Sequence, residues 1–347
     1  MNGEYTTITK VTPIPIFWKQ PTLKKTVLRI FIAAGFILVL LFVMLRYSNL
    51  TPFAFVRTQL VATAMTTASH QQIATIVAPE SEIEAIMSNM LGEFVPGGYA
   101  THSDIQAIEI TETSLCTEGF TFLEDGIYFR EVSGPALHGQ LMLILDPSRV
   151  VVATADIPGR QPANVRSMVA SRNAIAGING GWYNGFAPVG FVIAEGQRVY
   201  PPITTPHYES NTIVGFTHDD ILIVGQFTEA EALQAGIRDS LHTYPILIIN
   251  GEPQITTGDG GWGIAPRTAI GQRQDGAVLF LTIDGRQLNS VGATKRQVQD
   301  ILLENNAYNA IGLDGGSSSA MYHRGQYLNR PSLGFERSVP TAFLVMY

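Results

Sequence analysis

The feature that most restricts the fold of this chain is an apolar run near its N-terminus. From Ile30 to Leu45 the sequence contains no charged residue. With Val27 and Leu28 the run reaches the length that a helix needs to cross a bilayer. Because the run is apolar on all faces, a buried core helix is the weaker explanation. The sequence therefore predicts a transmembrane helix over residues 27–47.

A cleaved signal peptide is the main alternative for this run. The segment before it is long for a signal peptide, and no small-residue cleavage site follows closely. Lys19, Lys24, Lys25 and Arg29 precede the apolar run or stand at its start, and fewer positive charges follow it. By the positive-inside rule, this bias places residues 1–26 in the cytoplasm and the rest of the chain outside. An uncleaved, single-pass anchor in the cell membrane is predicted.

Residues 48–118 have the composition of a stalk or linker. The segment 59–76 is rich in Ala, Thr and Gln, and residues 82–91 carry apolar side chains at helical spacing. We identify no catalytic chemistry here. A partly helical stalk is predicted, and its role as a spacer or as an oligomerisation segment stays open.

Charge and cysteine content exclude several classes of protein. The net charge is -7, and the sequence has no basic patch with interleaved aromatic residues, which argues against nucleic acid as a partner. Cys116 is the single cysteine, so neither an intramolecular disulfide nor a cysteine zinc site can form. A small buried apolar side chain is the expected role of this cysteine.

The C-terminal region, residues 119–347, has the pattern of an α+β fold. Short apolar runs bounded by turn residues recur along it, and they do not alternate regularly with helices. The clearest helix is predicted from Lys295 to Asn305, where Thr294 and Gln297 have the spacing of a capping box. The sequence therefore predicts a mixed β-sheet domain with few helices, preceded by one transmembrane helix and a stalk.

The stretch from Ile311 to Met321 is the most informative motif in this domain. An apolar run ends at Asp314, and glycines and serines follow it. Successive N–H groups in such a glycine-rich turn can form an anion-binding concavity, and serine hydroxyls add donors. The stretch predicts one acid beside an anion cradle built from Gly315, Gly316, Ser317 and Ser318. The alternative is a tight turn with a capping Asp and solvated serines.

Three more polar turns follow predicted strands, and together with Asp314 they suit a phosphate-bearing substrate. Loops on a rigid sheet commonly carry function, and arginine binds phosphate with two parallel hydrogen bonds. A carboxylate can act as acid, base or nucleophile at an anomeric carbon. Simpler roles stay open: an exposed loop Arg267, Asp284 as a turn residue, and Arg286 paired with Asp284. The turns are Asn179-Gly180-Gly181, Ala265-Pro266-Arg267-Thr268 and Asp284-Gly285-Arg286.

The sequence does not demand a metal or another cofactor. No two histidines have metal-ligand spacing. Asp259, Asp284 and Asp314 could bind Ca²⁺ or Mg²⁺, but their spacing does not require it. A divalent cation therefore stays open as a cofactor.

Five segments in order resemble the phosphodiester glycosidase family, in its membrane-anchored bacterial form. The resemblance covers roughly residues 119–347. The segments are Ala-Gly-Ile-Asn-Gly-Gly-Trp (176–182), Gly-Asp-Gly-Gly-Trp-Gly-Ile-Ala-Pro-Arg-Thr-Ala-Ile-Gly (258–271), Ile-Asp-Gly-Arg-Gln (283–287), Leu-Asp-Gly-Gly-Ser-Ser-Ser (313–319) and Asn-Arg-Pro-Ser (329–332). The family often has a third glycine where this chain has Ser317.

The resemblance implies a hydrolase that cleaves a sugar-1-phosphodiester, on a cell-envelope or exopolysaccharide glycoconjugate. It implies that Asp314 is the acid or base and Asp284 the second carboxylate. The implied contacts to substrate or phosphate are Arg267, Thr268, Asn179, Gly180, Gly315, Gly316, Ser317, Ser318 and Arg286. Two alternatives stay open: a non-catalytic polysaccharide-binding or assembly module on the same fold, and a metal-dependent phosphodiesterase that cuts the P–O bond.

Overall fold

The structure is a computed structural model of the chain that describes residues 21–65, 71–92, 102–110, 117–155, 163–200 and 212–347. Cys116 and most of the predicted cytoplasmic segment lie outside the described residues. The described chain consists of an N-terminal group of helices followed by a domain built mainly from β-sheets.

The N-terminal helices begin with the apolar run. The first of them is long and apolar enough to cross a membrane, and its side chains are exposed rather than packed in a core. The next three pack on one another through buried apolar residues that include Val61, Ala74 and Ile83. The four helices are α1 (Pro21–Tyr47), α2 (Thr51–Met65), α3 (Gln71–Val77) and α4 (Glu80–Gly92).

The domain that follows contains short helices between many strands. The helices are α5 (Val165–Ser171), α6 (Glu229–Gln234) and α7 (Lys295–Glu304). The strands are β1 (Thr121–Glu124), β2 (Ile127–Gly134), β3 (Leu137–Ile144), β4 (Val150–Thr154), β5 (Ala174–Asn179), β6 (Tyr183–Asn184), β7 (Ala187–Pro188), β8 (Val192–Ala194), β9 (Gln197–Tyr200), β10 (Thr212–Thr217), β11 (Leu222–Gln226), β12 (Ile237–His242), β13 (Ile246–Ile249), β14 (Glu252–Pro253), β15 (Arg267–Arg273), β16 (Val278–Ile283), β17 (Ala307–Gly312), β18 (Met321–His323), β19 (Gln326–Tyr327) and β20 (Thr341–Met346).

These strands form three larger sheets and a small hairpin. The largest sheet has the order β1-β2-β3-β16-β15-β17-β13-β14. The other two have the orders β11-β10-β12-β8-β9 and β19-β18-β5-β20-β4, and β6 pairs with β7. The pairings among the described strands are antiparallel, as expected for strands joined without regular helical crossovers. The predicted α+β class is confirmed.

The central strands of the largest sheet are buried on both faces, and strand β16 shows how the sequence achieves this. Val278 and Phe280 face a core shared with the other two sheets. Leu279 and Leu281 point to the opposite face and pack under helix α7, against Val298. Side chains alternate across a strand, so one uninterrupted apolar run serves both layers. Helix α7 begins at the predicted capping box, in which Thr294 and Gln297 satisfy each other's backbone N–H groups.

Strand β15 is one of the strands that sequence patterns missed, together with β2 and β12. It is buried throughout, although its sequence includes polar and charged residues such as Arg267 and Gln272. Hydrogen bonds offset the cost of burying these groups. For example, the side-chain oxygen Oε1 of Gln272 accepts a hydrogen bond from the Leu222 backbone amide at 2.6 Å. The segment predicted as a turn at a strand end, 265–268, therefore leads directly into a central strand.

The pairing of β15 brings the predicted motifs to one edge of the sheet. Arg267, its first residue, lies opposite Ile283, the last residue of β16. Two residues further on, Ala269 lies opposite Gly312, the last residue of β17. Because both pairings are antiparallel, the start of β15 meets the ends of β16 and β17. The turns after these strands carry Asp284 and Asp314.

Candidate active site

A cavity of about 790 Å³ opens at this sheet edge. One wall comes from the start of β15 and from the turns after β5, β16 and β17, and another comes from helices α2 and α3. The lining residues are Leu60, Ala64, Ile73, Trp182, Tyr183, Asn184, Gly185, Trp262, Ala265, Arg267, Arg286, Lys295, Leu313, Asp314, Gly315, Gly316, Ser317, Leu333 and Arg337. The volume is within the range of small-molecule sites in proteins.

Asp314 is the acidic residue in this lining. Its backbone is fixed on two sides, because its carbonyl oxygen accepts Asn179 Nδ2 at 2.7 Å and its amide donates to Gly180 O at 3.1 Å. Burial raises the pKa of its carboxyl group, and hydrogen bonds from Ser318 and Gly315, with nearby cations, partly oppose that shift. A carboxyl group with a raised pKa is suited to donate a proton near neutral pH.

Lys295 places a buried ammonium group in the same cavity. It is the first residue of α7 and is only 3% exposed. Its Nζ lies above the backbone of Gly312, where a Cβ atom would come within 2.7 Å of it, so this close approach requires glycine. Within the described residues, the ammonium makes no hydrogen bond or ion pair. Burial lowers the pKa of Lys295 well below its usual value, nearby Arg267 lowers it further, and Asp314 opposes the shift.

A buried cation without a contact partner is costly, and an anionic ligand would remove that cost. Lys295 is therefore a candidate contact for a negatively charged ligand in this cavity. Sequence reasoning had treated this lysine only as the start of a helix.

Arg267 is buried in the cavity wall and is mainly held by backbone carbonyl groups. Its Nε donates to Ala293 O at 2.9 Å, and its Nη2 donates to the carbonyl oxygens of Trp262 and Gly263. Nη1 has no hydrogen-bond partner among the described residues. Burial lowers the pKa of Arg267 to about 10. The side chain thus fixes the loop 262–263 and keeps one nitrogen for a ligand, so its predicted role as a phosphate contact is compatible with the geometry.

Two exposed arginines stand at the edge of the cavity. Arg286 lines it and makes no ion pair with Asp284 in the described structure, so the simpler alternative of an Arg286–Asp284 pair is not observed. Arg337 donates from Nη1 to Ser317 Oγ at 3.4 Å and lies over the Tyr183 ring, 5.2 Å from its centroid. Arg337 also lowers the pKa of Asp314. Together these arginines give the opening a positive potential.

Asn179 and Thr268 lie behind the cavity rather than in its lining. Asn179 is fully buried, and its Oδ1 accepts the Thr268 hydroxyl at 2.8 Å and the Ala320 amide at 3.1 Å. Gly180 packs against Thr341, where a side chain would collide. These three residues hold the Asp314 turn between two sheets. Their predicted contact with substrate stays a prediction, and their observed contacts position Asp314.

The glycine-rich turn after Asp314 is a short 3-10 helix, Gly316–Ser318, and most of its N–H groups are already used. The Gly316 amide donates to Pro266 O at 2.8 Å, and the Ser318 and Ser319 amides donate to carbonyl groups inside the turn. The Gly315 amide contacts the Asp314 carboxylate. Most backbone amides of the predicted anion cradle therefore already donate hydrogen bonds to groups of the protein and are not free to bind an anion. The cationic side chains of Arg267, Arg286, Lys295 and Arg337 line the cavity beside this turn.

Asp284 is buried beside the site and is not part of the cavity lining. Its Oδ1 accepts the Arg330 amide at 2.8 Å, and its Oδ2 lies 3.4 Å from His138 Nδ1. Its carbonyl oxygen accepts the Ser290 hydroxyl at 2.7 Å. These contacts tie together the loops 284–291 and 329–333. A role for Asp284 as second carboxylate stays a prediction.

Aromatic rings cover one side of the cavity. Trp182 stacks on Tyr244 with ring centroids 4.2 Å apart, and Trp262 meets both rings edge-on or tilted. The Trp182 indole N–H is buried and has no hydrogen-bond partner among the described residues. A partly exposed aromatic ring surface of this kind is suited to stack on the face of a sugar.

The described residues contain no group of three or more His, Cys, Asp or Glu side chains placed to hold a metal ion. Asp259, one of the three aspartates considered as cation ligands, accepts the Gly261 amide at 2.8 Å. Asp284 is engaged with the Arg330 amide and Asp314 with Ser318. The three carboxylates thus have separate partners in this structure.

Sequence reasoning found the acidic turn, the two arginines near it and the aromatic residues Trp182, Tyr183 and Trp262, but it missed Lys295 and Arg337. Both missed residues have an ordinary local setting, the first turn of a helix for Lys295 and a loop for Arg337. The one local signal for Lys295 was the glycine two residues before Asp314, which becomes meaningful only when the two elements are seen together.

Comparison with known proteins agrees with the fold of the domain. A family model described as phosphodiester glycosidase matches residues 172–346. Strands β3 and β4 precede that match but pair with β16 and β20 inside it, so they belong to the same sheets. The catalytic domain of zebrafish N-acetylglucosamine-1-phosphodiester α-N-acetylglucosaminidase has a similar fold, with a TM-score of 0.57 and 22% identity, covering 72% of this chain and 89% of that one.

Two curated proteins are similar in sequence. The SPbeta prophage-derived uncharacterized protein YomE of Bacillus subtilis (strain 168) is 32% identical over 194 residues, which is 53% of this chain and 29% of YomE. Human N-acetylglucosamine-1-phosphodiester α-N-acetylglucosaminidase is 28% identical over 221 residues, which is 57% of this chain and 42% of the human protein. The match thus spans less than half the length of either relative. With the family model covering half of its length, this chain belongs to the phosphodiester glycosidase family.

Proposed function

We propose that this protein is a membrane-anchored, extracytoplasmic hydrolase that cleaves a sugar-1-phosphodiester between the anomeric carbon and the phosphate oxygen. The proposal rests mainly on the observation that an acid, Asp314, and a cation without a contact partner among the described residues, Lys295, line the same cavity. Asp314 has a raised pKa, and Lys295 is buried without a contact partner among the described residues. The human relative is named for cleavage of such a diester.

The roles follow from charge and position. Lys295 and the remaining nitrogen of Arg267 would bind the non-bridging phosphate oxygens, because a diester carries one negative charge. The ring surface of Trp182 and Trp262 would receive the sugar. Asp314 would protonate the bridging oxygen as the bond from that oxygen to the anomeric carbon breaks. A water molecule would add to the anomeric carbon and lose one proton, so that sugar and phosphomonoester are released.

The test is a panel of sugar-1-phosphodiesters incubated with the protein in ¹⁸O-labelled water. Cleavage at the anomeric carbon places the label in the sugar. Label in the phosphate would instead mean P–O cleavage, the chemistry of a phosphodiesterase, and loss of activity with a chelator would add a metal requirement. A cell-envelope or exopolysaccharide glycoconjugate is the proposed natural class of substrate.

A non-catalytic sugar-binding module is the second candidate, and the stacked Trp182, Tyr244 and Trp262 rings favour it. Such a module would bind the sugars of the panel without turnover. A module that binds only neutral sugars does not need a buried lysine such as Lys295 in the same cavity as an acid such as Asp314. Binding that persists while no diester is hydrolysed would establish this alternative.

The proposed location rests on α1, which is apolar enough to span a membrane and carries Lys24 and Lys25 in its first turns, before the apolar run. We expect a reporter fused after Tyr347 to be digested when protease is added to intact cells, because residues 48–347 would lie outside. The same reporter fused before Met1 should be protected and serves as the control. Protection of the C-terminal reporter would reverse the proposed orientation.

A further inference from the structure

Part of the cavity lining comes from helices that lie next to α1 in the chain, and this position bears on the kind of substrate that the cavity could bind. Leu60 and Ala64 of α2 and Ile73 of α3 form part of its lining, opposite the Asp314 turn. These helices follow α1 directly in the chain. The wall of the site is therefore built partly from the segment next to the proposed membrane anchor.

Two arginines fix α2, α3 and α4 to the end of α1. Arg46, in the last turn of α1, donates to the carbonyl oxygens of Thr75 and Ile76 in α3. Arg57 of α2 is 2% exposed and donates to Leu45 O at 2.8 Å and to Ser48 O at 2.9 Å. These bonds satisfy carbonyl groups that the end of a helix leaves free.

Arg57 also forms an ion pair with Glu82 of α4. A helix rises 1.5 Å per residue, so Ala64 lies at most about 20 Å along α2 from Thr51. The part of the cavity wall that α2 contributes thus lies within about 20 Å, along α2, of the residues that follow the end of α1.

The edge of the cavity carries exposed apolar side chains, which we call the apolar rim: Phe186, Leu288, Leu333 and Phe335. Leu333 lines the cavity, and each of the other three lies within two residues of a lining residue. Leu288 is fully exposed, and the other three are exposed by 56%, 51% and 65% in chain order. Gln287 Nε2 donates to Arg330 O at 2.8 Å and holds the loops of Leu288 and Leu333 together.

Exposed large apolar side chains next to exposed arginines are typical of surfaces that meet a membrane. The apolar groups gain free energy on entering lipid, and the cations are attracted to anionic headgroups. Arg286 and Arg337 stand beside this rim. The cavity therefore combines charged side chains with apolar side chains of α2 and α3 in its lining, and the apolar rim lies at its edge.

We propose that the substrate is a glycosyl phospholipid, in which the phosphodiester joins the sugar to a lipid held in the membrane that α1 spans. This inference rests on the proposed function and its anchor. The sugar and phosphate enter the cavity, and the lipid chain leaves it between the apolar rim and the side chains of Leu60 and Ile73. Hydrolysis would release the sugar and leave the lipid phosphate in the bilayer.

The test uses the full chain reconstituted in phosphatidylcholine vesicles and two diesters of the best sugar-1-phosphate from the panel. One diester carries a methyl group, and the other carries a hexadecyl group that inserts into the vesicles. We expect kcat/KM for the hexadecyl diester to exceed that for the methyl diester by roughly tenfold or more, because the buried chain contributes binding. Equal values, or a preference for the methyl diester or for a polymer-linked diester, would overturn the inference.

Substitutions in the apolar rim test whether this surface causes the preference for the hexadecyl diester. Leu288→Asp combined with Phe335→Asp should lower turnover of the hexadecyl diester roughly tenfold, since charged groups resist insertion into lipid, while turnover of the methyl diester reports that the fold is intact. Leu233→Asp, an exposed leucine on α6, is the matched control and should leave both rates unchanged. Unaltered hexadecyl turnover in the rim variant would overturn the membrane contact. Failure of the wild type on both diesters would refute the proposed function itself.

Discussion

Replacing Asp314 by asparagine is expected to lower the rate of diester hydrolysis by about 10² to 10⁴, the usual contribution of a positioned acid or base. Asparagine keeps the shape and an acceptor oxygen for the Ser318 and Gly315 donors, but it cannot transfer a proton. The backbone contacts with Asn179 and Gly180 do not involve the carboxyl group. Unfolding temperature should therefore change little, while turnover falls.

The pH profile separates an acid from a structural residue. Because burial raises the pKa of Asp314, its protonated form persists to higher pH than that of an ordinary aspartate. If it acts as the acid, wild-type activity falls as pH rises through that raised pKa, and this limb disappears in Asp314→Asn. Asp300→Asn, the same chemical change on the exposed face of α7, is the control. Full activity in folded Asp314→Asn would exclude Asp314 and make Asp284 the next residue to test.

Replacing Lys295 by methionine is expected to have opposite effects on activity and stability. A charged hydrogen bond contributes about 1.5 to 3 kcal/mol, so kcat/KM for the diester should fall by about 10- to 150-fold. Methionine has a similar length and fills the same space without charge. Lys295→Arg should also be impaired, since the close approach of Nζ to Gly312 leaves little room for a guanidinium group.

Stability should rise in Lys295→Met, because the folded wild type holds a largely buried ammonium group without a contact partner among the described residues. We expect a gain of about 0.5 to 2 kcal/mol at neutral pH. The folded pKa is lowered, so the folded state binds fewer protons than the unfolded state, and wild-type stability rises with pH. The advantage of methionine should accordingly shrink as pH approaches the ordinary pKa of lysine.

Arg296→Met is the matched control for Lys295→Met, because it removes the next cation in the chain. Arg296 is partly exposed, and its Nε lies 3.7 Å from Asp300 Oδ1. The substitution should leave activity and stability nearly unchanged, since such surface pairs contribute little. A neutral aryl glycoside of the same sugar provides the substrate control. If Lys295→Met lowers turnover of both substrates equally, the lysine does not bind phosphate. A loss of both stability and activity would assign it to the fold.

Local physical signals in the sequence were sufficient for several elements. The charge-free run that became part of α1 has no polar face, whatever surrounds it. Helix α7 begins where Thr294 and Gln297 cap it, because both partners of a capping box lie within one turn. The strand β16 and the turn at Asp314 were marked by apolar runs that stop at polar, glycine-rich residues.

Only the tertiary structure decided which side chains share the cavity. Asn179 and Arg267 both belonged to predicted polar turns, yet Asn179 is enclosed between sheets while Arg267 lines the cavity. Lys295 could not be distinguished from a surface lysine in sequence, since the first turn of a helix tolerates either. Its burial depends on the approach of α7 to the end of β17, a contact between distant parts of the chain. Local sequence signals thus determine which helices and strands form and where they end. The packing of those helices and strands determines which charged side chains, such as Lys295, line the cavity.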